Sequence, residues 1–119
     1  MNKLEVLKNI ICIPILFSER KNISLKSLLE ECSYGIYQSK ISEDDIYDSL
    51  VGKKSLLKSW LYWSENKRSS SGWYLKSADD HKFIVAYYDS KLGHKNVVSY
   101  SDSFRACAAF IKKELDSVY

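Results

Sequence analysis

The side chains in this sequence that could carry covalent or acid–base chemistry are few and scattered. His81 and His94 are its two histidines, and each stands beside a lysine, Lys82 and Lys95. A catalytic nucleophile needs a base next to it and a third group to orient that base. Either histidine could serve only if folding carried it to an acid or a cysteine. Both fall in turn-like stretches, where a solvated imidazole is the plainer reading. Cys12, Cys32 and Cys107 are far apart and sit among apolar neighbours, so Cys107 reads as a core spacer between Phe104 and Ile111. No CxxC occurs, and neither histidine lies at ligand spacing from a cysteine. A glycine-rich phosphate loop, HExxH and GxSxG are also missing. The expectation is a protein with no catalytic residue, no metal and no cofactor, and hence not an enzyme.

Charge and aromatic clusters offer more. Glu43, Asp44, Asp45 and Asp48 crowd one and a half helical turns, and Asp79 and Asp80 mark a hairpin tip. Acids at a helix start offset its dipole, and an exposed cluster can also meet a basic partner. Lysines gather at Lys53, Lys54 and Lys58, with Lys67 and Arg68 and then Lys91 and Lys95 further on. With tyrosines nearby, this composition could serve single-stranded RNA, but no RNP-like strand motif or glycine-rich contact loop accompanies it. The nine tyrosines are the stronger signal. Tyrosine adds stiff contact area with a polar tip and is favoured at protein interfaces.

The elements that must position these groups follow from periodicity. Leu4, Leu7, Ile10 and Ile11 predict a helix over residues 3–13, kinked or stopped near Ile13 by Pro14, with a polar turn from Ser18 to Asn22. Ser24 can cap a second helix whose apolar face is Leu25, Leu28, Leu29 and Cys32, ended or loosened by Gly35. Ser42 opens a capping box for a short helix from Glu43 to Val51 that buries Ile46 and Leu50 and stops at Gly52. From Ser55, the residues Leu56, Leu57, Trp60, Leu61 and Trp63 load one broad side of a further helix, the expected central plank of the core.

Three short strands follow. Trp73 and Leu75 alternate with Tyr74 and Lys76, and Phe83, Val85 and Tyr87 alternate with Ile84, Ala86 and Tyr88. Val97, Val98 and Tyr100 make the third strand. Ser77 to His81 and Ser90 to Lys95 are the expected turns. The face opposite the core holds Tyr74 with either the Phe83/Tyr87 set or the Ile84/Tyr88 set, depending on register. Finally Phe104, Ala108, Ile111 and Leu115, widened by Cys107 and Val118, predict an amphipathic helix lying on the sheet. The fold class is α+β: N-terminal helices, a three-stranded antiparallel meander, and a C-terminal helix packed on it. Trp60, Phe83, Phe104, Ile111 and Leu115 are expected to meet in the core.

The chain has 119 residues, which fits one domain over residues 1–119 with a core that needs no disulfide or metal. An odd set of three unpaired-looking cysteines points to a reducing, cytoplasmic setting. The apolar run Ile10 to Phe17 is too short to span a bilayer, and Glu5 and Ser18-Glu19-Arg20 do not suit a cleaved leader. A balance of 18 basic against 15 acidic residues gives +3, far below a dedicated nucleic-acid binder.

Ser71-Gly72-Trp73-Tyr74-Leu75, the strand Phe83 to Asp89, and Tyr100-Ser101-Asp102 leading into the Cys107-to-Leu115 segment carry a family resemblance. In these the chain resembles the small cytosolic immunity proteins of bacterial contact-dependent growth inhibition and related polymorphic toxin systems. The resemblance covers about the C-terminal two-fifths and is one of size and style. It implies a non-enzymatic antitoxin that binds the toxin domain of a cognate effector, often a nuclease, and blocks its active site. Such proteins are often acidic, so on a +3 chain the acid must be local. The expected contact residues are Glu43, Asp44, Asp45 and Asp48, with Asp79, Asp80, Tyr74 and Tyr88. The partner is a protein, with no membrane and no nucleic acid. The alternative from another class is a small nucleic-acid-binding or regulatory protein that uses the lysine and tyrosine clusters. An enzyme centred on His81 or His94 is the third reading.

Overall fold

The structure, a computed structural model, describes residues 1–67, 71–79 and 81–119. Helices α1 (Lys3–Ile11), α2 (Ile13–Ser18), α3 (Leu25–Glu31) and α4 (Tyr34–Tyr37) come first, then a 3₁₀ turn at Gln38–Lys40. Helices α5 (Glu43–Leu50) and α6 (Lys54–Glu65) lead to strands β1 (Gly72–Asp79), β2 (Lys82–Asp89) and β3 (Gly93–Tyr100), and α7 (Ser103–Val118) closes the chain. The strands form an antiparallel meander in the order β1-β2-β3, with α7 packed on it. This is the α+β architecture that the patterning predicts.

Local chemistry sets the boundaries. Asn2 and Glu5 form a capping box at α1, Ser24 caps α3 through the Ser27 amide, and Ser42 and Asp45 form the box at α5. Gly52, at φ +83°, closes α5 in the left-handed region as expected. The break expected near Ile13 is present, between α1 and α2. The chain breaks at Cys12, and Pro14 lies in the first turn of α2, where its missing N–H goes unused. Helix therefore continues to Ser18, into the expected turn. Gly35 does not end α3, which stops at Glu31, with Ser33 in a left-handed conformation two residues on. Instead Gly35 lies inside α4, and the Tyr119 ring occupies the space a Cβ would fill.

The strands are longer than their sequence pattern. Ser77 to Asp79 belong to β1, and His94 and Lys95 belong to β3, so two expected loops shrink. Backbone pairing extends a strand past its apolar residues when a neighbour supplies the partners. Between Val85 and Tyr87 the β3 partner advances by three residues, from Val98 to Lys95. This is a bulge, and Asn96 takes it up at φ +53°.

The core is organised by α7, not by α6. Ala106 through Ile111 are six consecutive residues with no exposed surface, and Leu115 joins them. A surface helix buries one stripe; over this stretch α7 is buried all round. One side meets the inner sheet face at Leu75 and Val85, and the other meets α3, α5 and α6. Phe110, absent from the predicted stripe, is fully buried with its ring 6.1 Å from that of Trp60. Trp60, also fully buried, donates its indole N–H to the Ile11 carbonyl at 2.9 Å and so ties α6 to the end of α1. Of the expected core five, Trp60, Ile111 and Leu115 are fully buried, while Phe83 and Phe104 pack only at the margin. Leu4, read as part of the first helix's inner stripe, is exposed.

Polar groups inside this core are paired. The Glu114 carboxylate accepts from Trp63 Nε1 at 2.9 Å and from Lys67 Nζ at 2.8 Å. Lys67 also donates to the Trp73 carbonyl at 2.7 Å, and Ser64 Oγ accepts from the Leu75 amide at 2.7 Å. These two bonds bind α6 along the outer edge of β1. Tyr34, fully buried, donates to Asp116 Oδ1 at 2.6 Å, and burial together with that carboxylate pushes its phenol far above the usual range. Among the described residues, no buried side-chain nitrogen or oxygen lacks a partner.

Replacing Ile111 by Ala removes buried methyl groups from the middle of α7, where both layers hold their positions. The expected cost is about 2–5 kcal/mol, read by urea unfolding. A loss below about 0.5 kcal/mol, the level of a surface substitution, would contradict the all-round burial of α7.

Candidate protein interface

Strand alternation divides the sheet into two unlike faces. Register pairs Trp73 with Tyr87 and Leu75 with Val85, and these four point toward α7. It pairs Tyr74 with Ala86, Lys76 with Ile84 and Gly72 with Tyr88, and these lie on the outer face. The open alternative is thereby resolved: Tyr74 shares its face with the Ile84/Tyr88 set. Tyr88 in turn pairs with His94.

The outer rings hold one another. Tyr74 Oη lies 2.9 Å from His94 Nδ1, and the two rings meet edge to face at 5.7 Å between centroids. Tyr88 leans on His94 at 5.2 Å, and Lys76 Nζ stands 5.9 Å over the Tyr74 ring. Beside this cluster lies an open hollow of about 320 Å³, whose lining includes Ser71, Gly72, Tyr74, Lys76, Tyr88 and His94. Tyr88 and His94 remain exposed. His94 is the residue that sequence reasoning placed wrongly, in a turn. Gly93 looked like the centre of that turn, whereas it is the first residue of β3 and carries His94 to the partner position of Tyr88.

The acidic turn is a separate surface. Helix α5 packs against α7, whose other side meets the sheet, so α7 stands between α5 and the inner face. Asp45 accepts from the Ser42 amide at 3.0 Å and pairs with Lys3 at 3.0 Å. The Ser42 amide first, then Lys3, hold its carboxyl below the usual carboxylate range. Asp44 pairs with Arg105 at 2.6 Å while its side chain stays 82% exposed. The Arg105 guanidinium lies 3.9 Å over the Tyr47 ring, and Tyr47 donates to Asp102 at 2.8 Å. Two of the four acids are thus committed to joining α5 to α1 and α7, and Asp48 is the exposed acid of this turn without an ion pair among the described residues. Asp79 is exposed at the end of β1. Asp80 lies outside the described residues, as do Arg68, Ser69 and Ser70.

Other groups are placed as follows. Cys12, Cys32 and Cys107 are free thiols, and deep burial pushes that of Cys107 well up, the opposite of a nucleophile's setting. His81 is exposed in the turn after β1. Among the described residues, no three of His, Cys, Asp and Glu gather where they could hold a metal ion, and no helix is long and apolar enough to cross a membrane. An apolar groove of about 750 Å³ runs between α2 and α6, lined by Pro14, Ile15, Phe17, Tyr62 and Trp63. It offers contact area but few polar groups to fix a partner's orientation. Comparison with known protein families, with curated proteins and with solved structures gives no match.

The commitments of Asp45 give a stability expectation. Asp45→Asn keeps the shape but loses the charge at a helix start and the pairing with Lys3. The expected cost at neutral pH is about 0.5–1 kcal/mol, kept small by solvent exposure. The folded pKa of Asp45 is depressed, so its contribution is present above the unfolded carboxylate value and is lost as pH falls through the folded value. Thermal unfolding of parent and variant from neutral to acid pH should show the gap closing. Equal stability at neutral pH would mean that this carboxylate is not holding α5 in place.

Proposed function

We propose that this protein is an immunity-type inhibitor: it binds the toxin domain of a contact-dependent effector in the cytoplasm of the cell it protects, and blocks that domain by occupying its surface. The observation that carries the reading is the outer sheet face, where Tyr74, His94 and Tyr88 already contact one another while Tyr88 and His94 stay exposed. Side chains ordered before binding lose little entropy on association, and tyrosines of this kind form the energetic centres of interfaces. The resemblance in Trp73-Tyr74-Leu75, Phe83 to Asp89 and the closing helix supports the same conclusion. In this reading the contact is centred on Tyr74 and Tyr88. The acidic turn plays the smaller part, because Asp45 is tied to Lys3 and Asp44 to Arg105.

The nucleic-acid alternative draws less support. Of its lysines, Lys67 turns inward to Glu114, and Lys53 bonds the Ser49 carbonyl. Affinity for RNA or DNA that collapses steeply with salt would favour it.

The reading expects an effector gene immediately upstream, ending in a variable C-terminal domain. Co-expression of that domain with the parent chain should protect cells. The double variant Tyr74→Ala, Tyr88→Ala should weaken binding by about thirtyfold or more, the effect of losing an interface centre worth about 2 kcal/mol, with unfolding temperature little changed. Undiminished protection by this variant would place the contact elsewhere.

A further inference from the structure

We propose that the hollow beside Tyr74, Tyr88 and His94 is a socket for carboxylate side chains, so that the segment of the toxin domain seated on the outer sheet face is acidic. This rests on the inhibitor reading and reverses the charge expected from the acidic turn.

Four observations carry it. First, none of the residues lining the hollow is acidic. Glu65 lines the neighbouring groove together with Lys76, and the two form no ion pair among the described residues. Second, the cation at its mouth is uncommitted: Lys76 is exposed and pairs with no carboxylate among the described residues. Lys67, also in the lining, has its charge balanced by Glu114 and cannot serve the same purpose. Third, His94 is oriented. Its Nδ1 lies 2.9 Å from the Tyr74 hydroxyl, and in the tautomer in which that hydroxyl donates to Nδ1 the proton sits on Nε2, which is then a donor. Fourth, Ser71 Oγ accepts from the Ser90 amide at 3.2 Å, and its hydroxyl donates to no acceptor among the described residues. An ammonium, an imidazole N–H and a hydroxyl around an aromatic floor form a donor set, and a carboxylate fills it with charge-assisted bonds.

Single-stranded nucleic acid brings anions too, but it also needs flat ring faces on which bases can stack. Here Lys76 stands over the Tyr74 ring, and His94 meets the rings of Tyr74 and Tyr88 at steep angles. Lys76 has no carboxylate partner among the described residues, and the steep ring angles offer no parallel stack for a base to extend, which favours a protein carboxylate. One consequence concerns the toxin. The substrate cleft of a nuclease is basic, so an acidic docking segment lies outside such a cleft, and inhibition then comes from a body held across the cleft mouth.

The test uses the full chain and has two arms. In the first, a short glutamate-rich peptide, its lysine-rich counterpart and an oligothymidylate are titrated while the ring resonances of Tyr74, Tyr88 and His94 are followed by NMR. The expected result is weak binding of the glutamate peptide that fades with salt. It shifts those rings and falls about fivefold or more in Lys76→Ala and in His94→Ala, while the lysine peptide has no effect. Tighter binding of the oligothymidylate at the same rings, or shifts mapping elsewhere, would overturn the socket. In the second arm, Lys76→Glu should slow association with the toxin domain by about tenfold, with the fold unchanged. If that variant associates as the parent does while Tyr74→Ala, Tyr88→Ala does not bind, the socket is wrong and the inhibitor reading stands. If the parent itself binds no toxin domain, the inhibitor reading fails, and the peptide arm still judges the socket.

Discussion

A single carboxylate fixes how the layers of this protein meet. Glu114 sits on the helix that forms the middle of the molecule, at a position only 3% exposed. A charge there is tolerated only when paired and hydrogen-bonded. Trp63 and Lys67 both donate to it, and Lys67 reaches on to the backbone of Trp73. One charge therefore binds the central helix, the end of α6 and the start of β1 to each other. Leaving either partner of such a pair unmatched costs about 3–5 kcal/mol, less for the partly exposed lysine. The arrangement also decides which way the sheet faces: with β1 clamped at Trp73 and Leu75, the alternate residues Tyr74 and Lys76 must point outward.

That orientation leaves the sheet little free surface. Helix α7 takes one face, and Ser64 and Lys67 satisfy the outer edge of β1. The outer face and the β3 edge remain. The tyrosines sort accordingly. Tyr34 is buried in a hydrogen-bonded network with Asp116 and Lys112, Tyr47 binds Asp102 under Arg105, and Tyr87 packs on Trp73. Tyr74 and Tyr88 hold only each other's neighbourhood, through His94.

Much of the fold was legible. The capping box at Ser42, alternation at Trp73–Lys76 and Phe83–Tyr88, and the period of the last helix each act within a few residues, so they read directly from the chain. What could not be read depends on long-range contacts. Phe110 looks outward on a one-sided helix and is buried because a second layer covers that side. Pro14 marks the break between α1 and α2, but the immediate return to helix through Ser18 could not be read from it. The outer face was half visible: Tyr74 and Tyr88 were named, but register had to join them, and His94 was lost to a glycine that resembled a turn. The acidic turn was legible as a cluster, but its partners within the chain were not. Four acids in sequence look like a free cluster, and only the structure brings Lys3 and Arg105 to them.

The central claim is that the outer sheet face is where this protein meets its target. Hydrogen–deuterium exchange of the chain alone and in complex with the toxin domain measures this most directly. The account predicts added protection in the outward segments of β1, β2 and β3 around Tyr74, Tyr88 and His94, with exchange in α5 unchanged. Protection confined to the acidic turn at Asp44 to Asp48, or to the groove between α2 and α6, with the sheet exchanging as in the free protein, would contradict it.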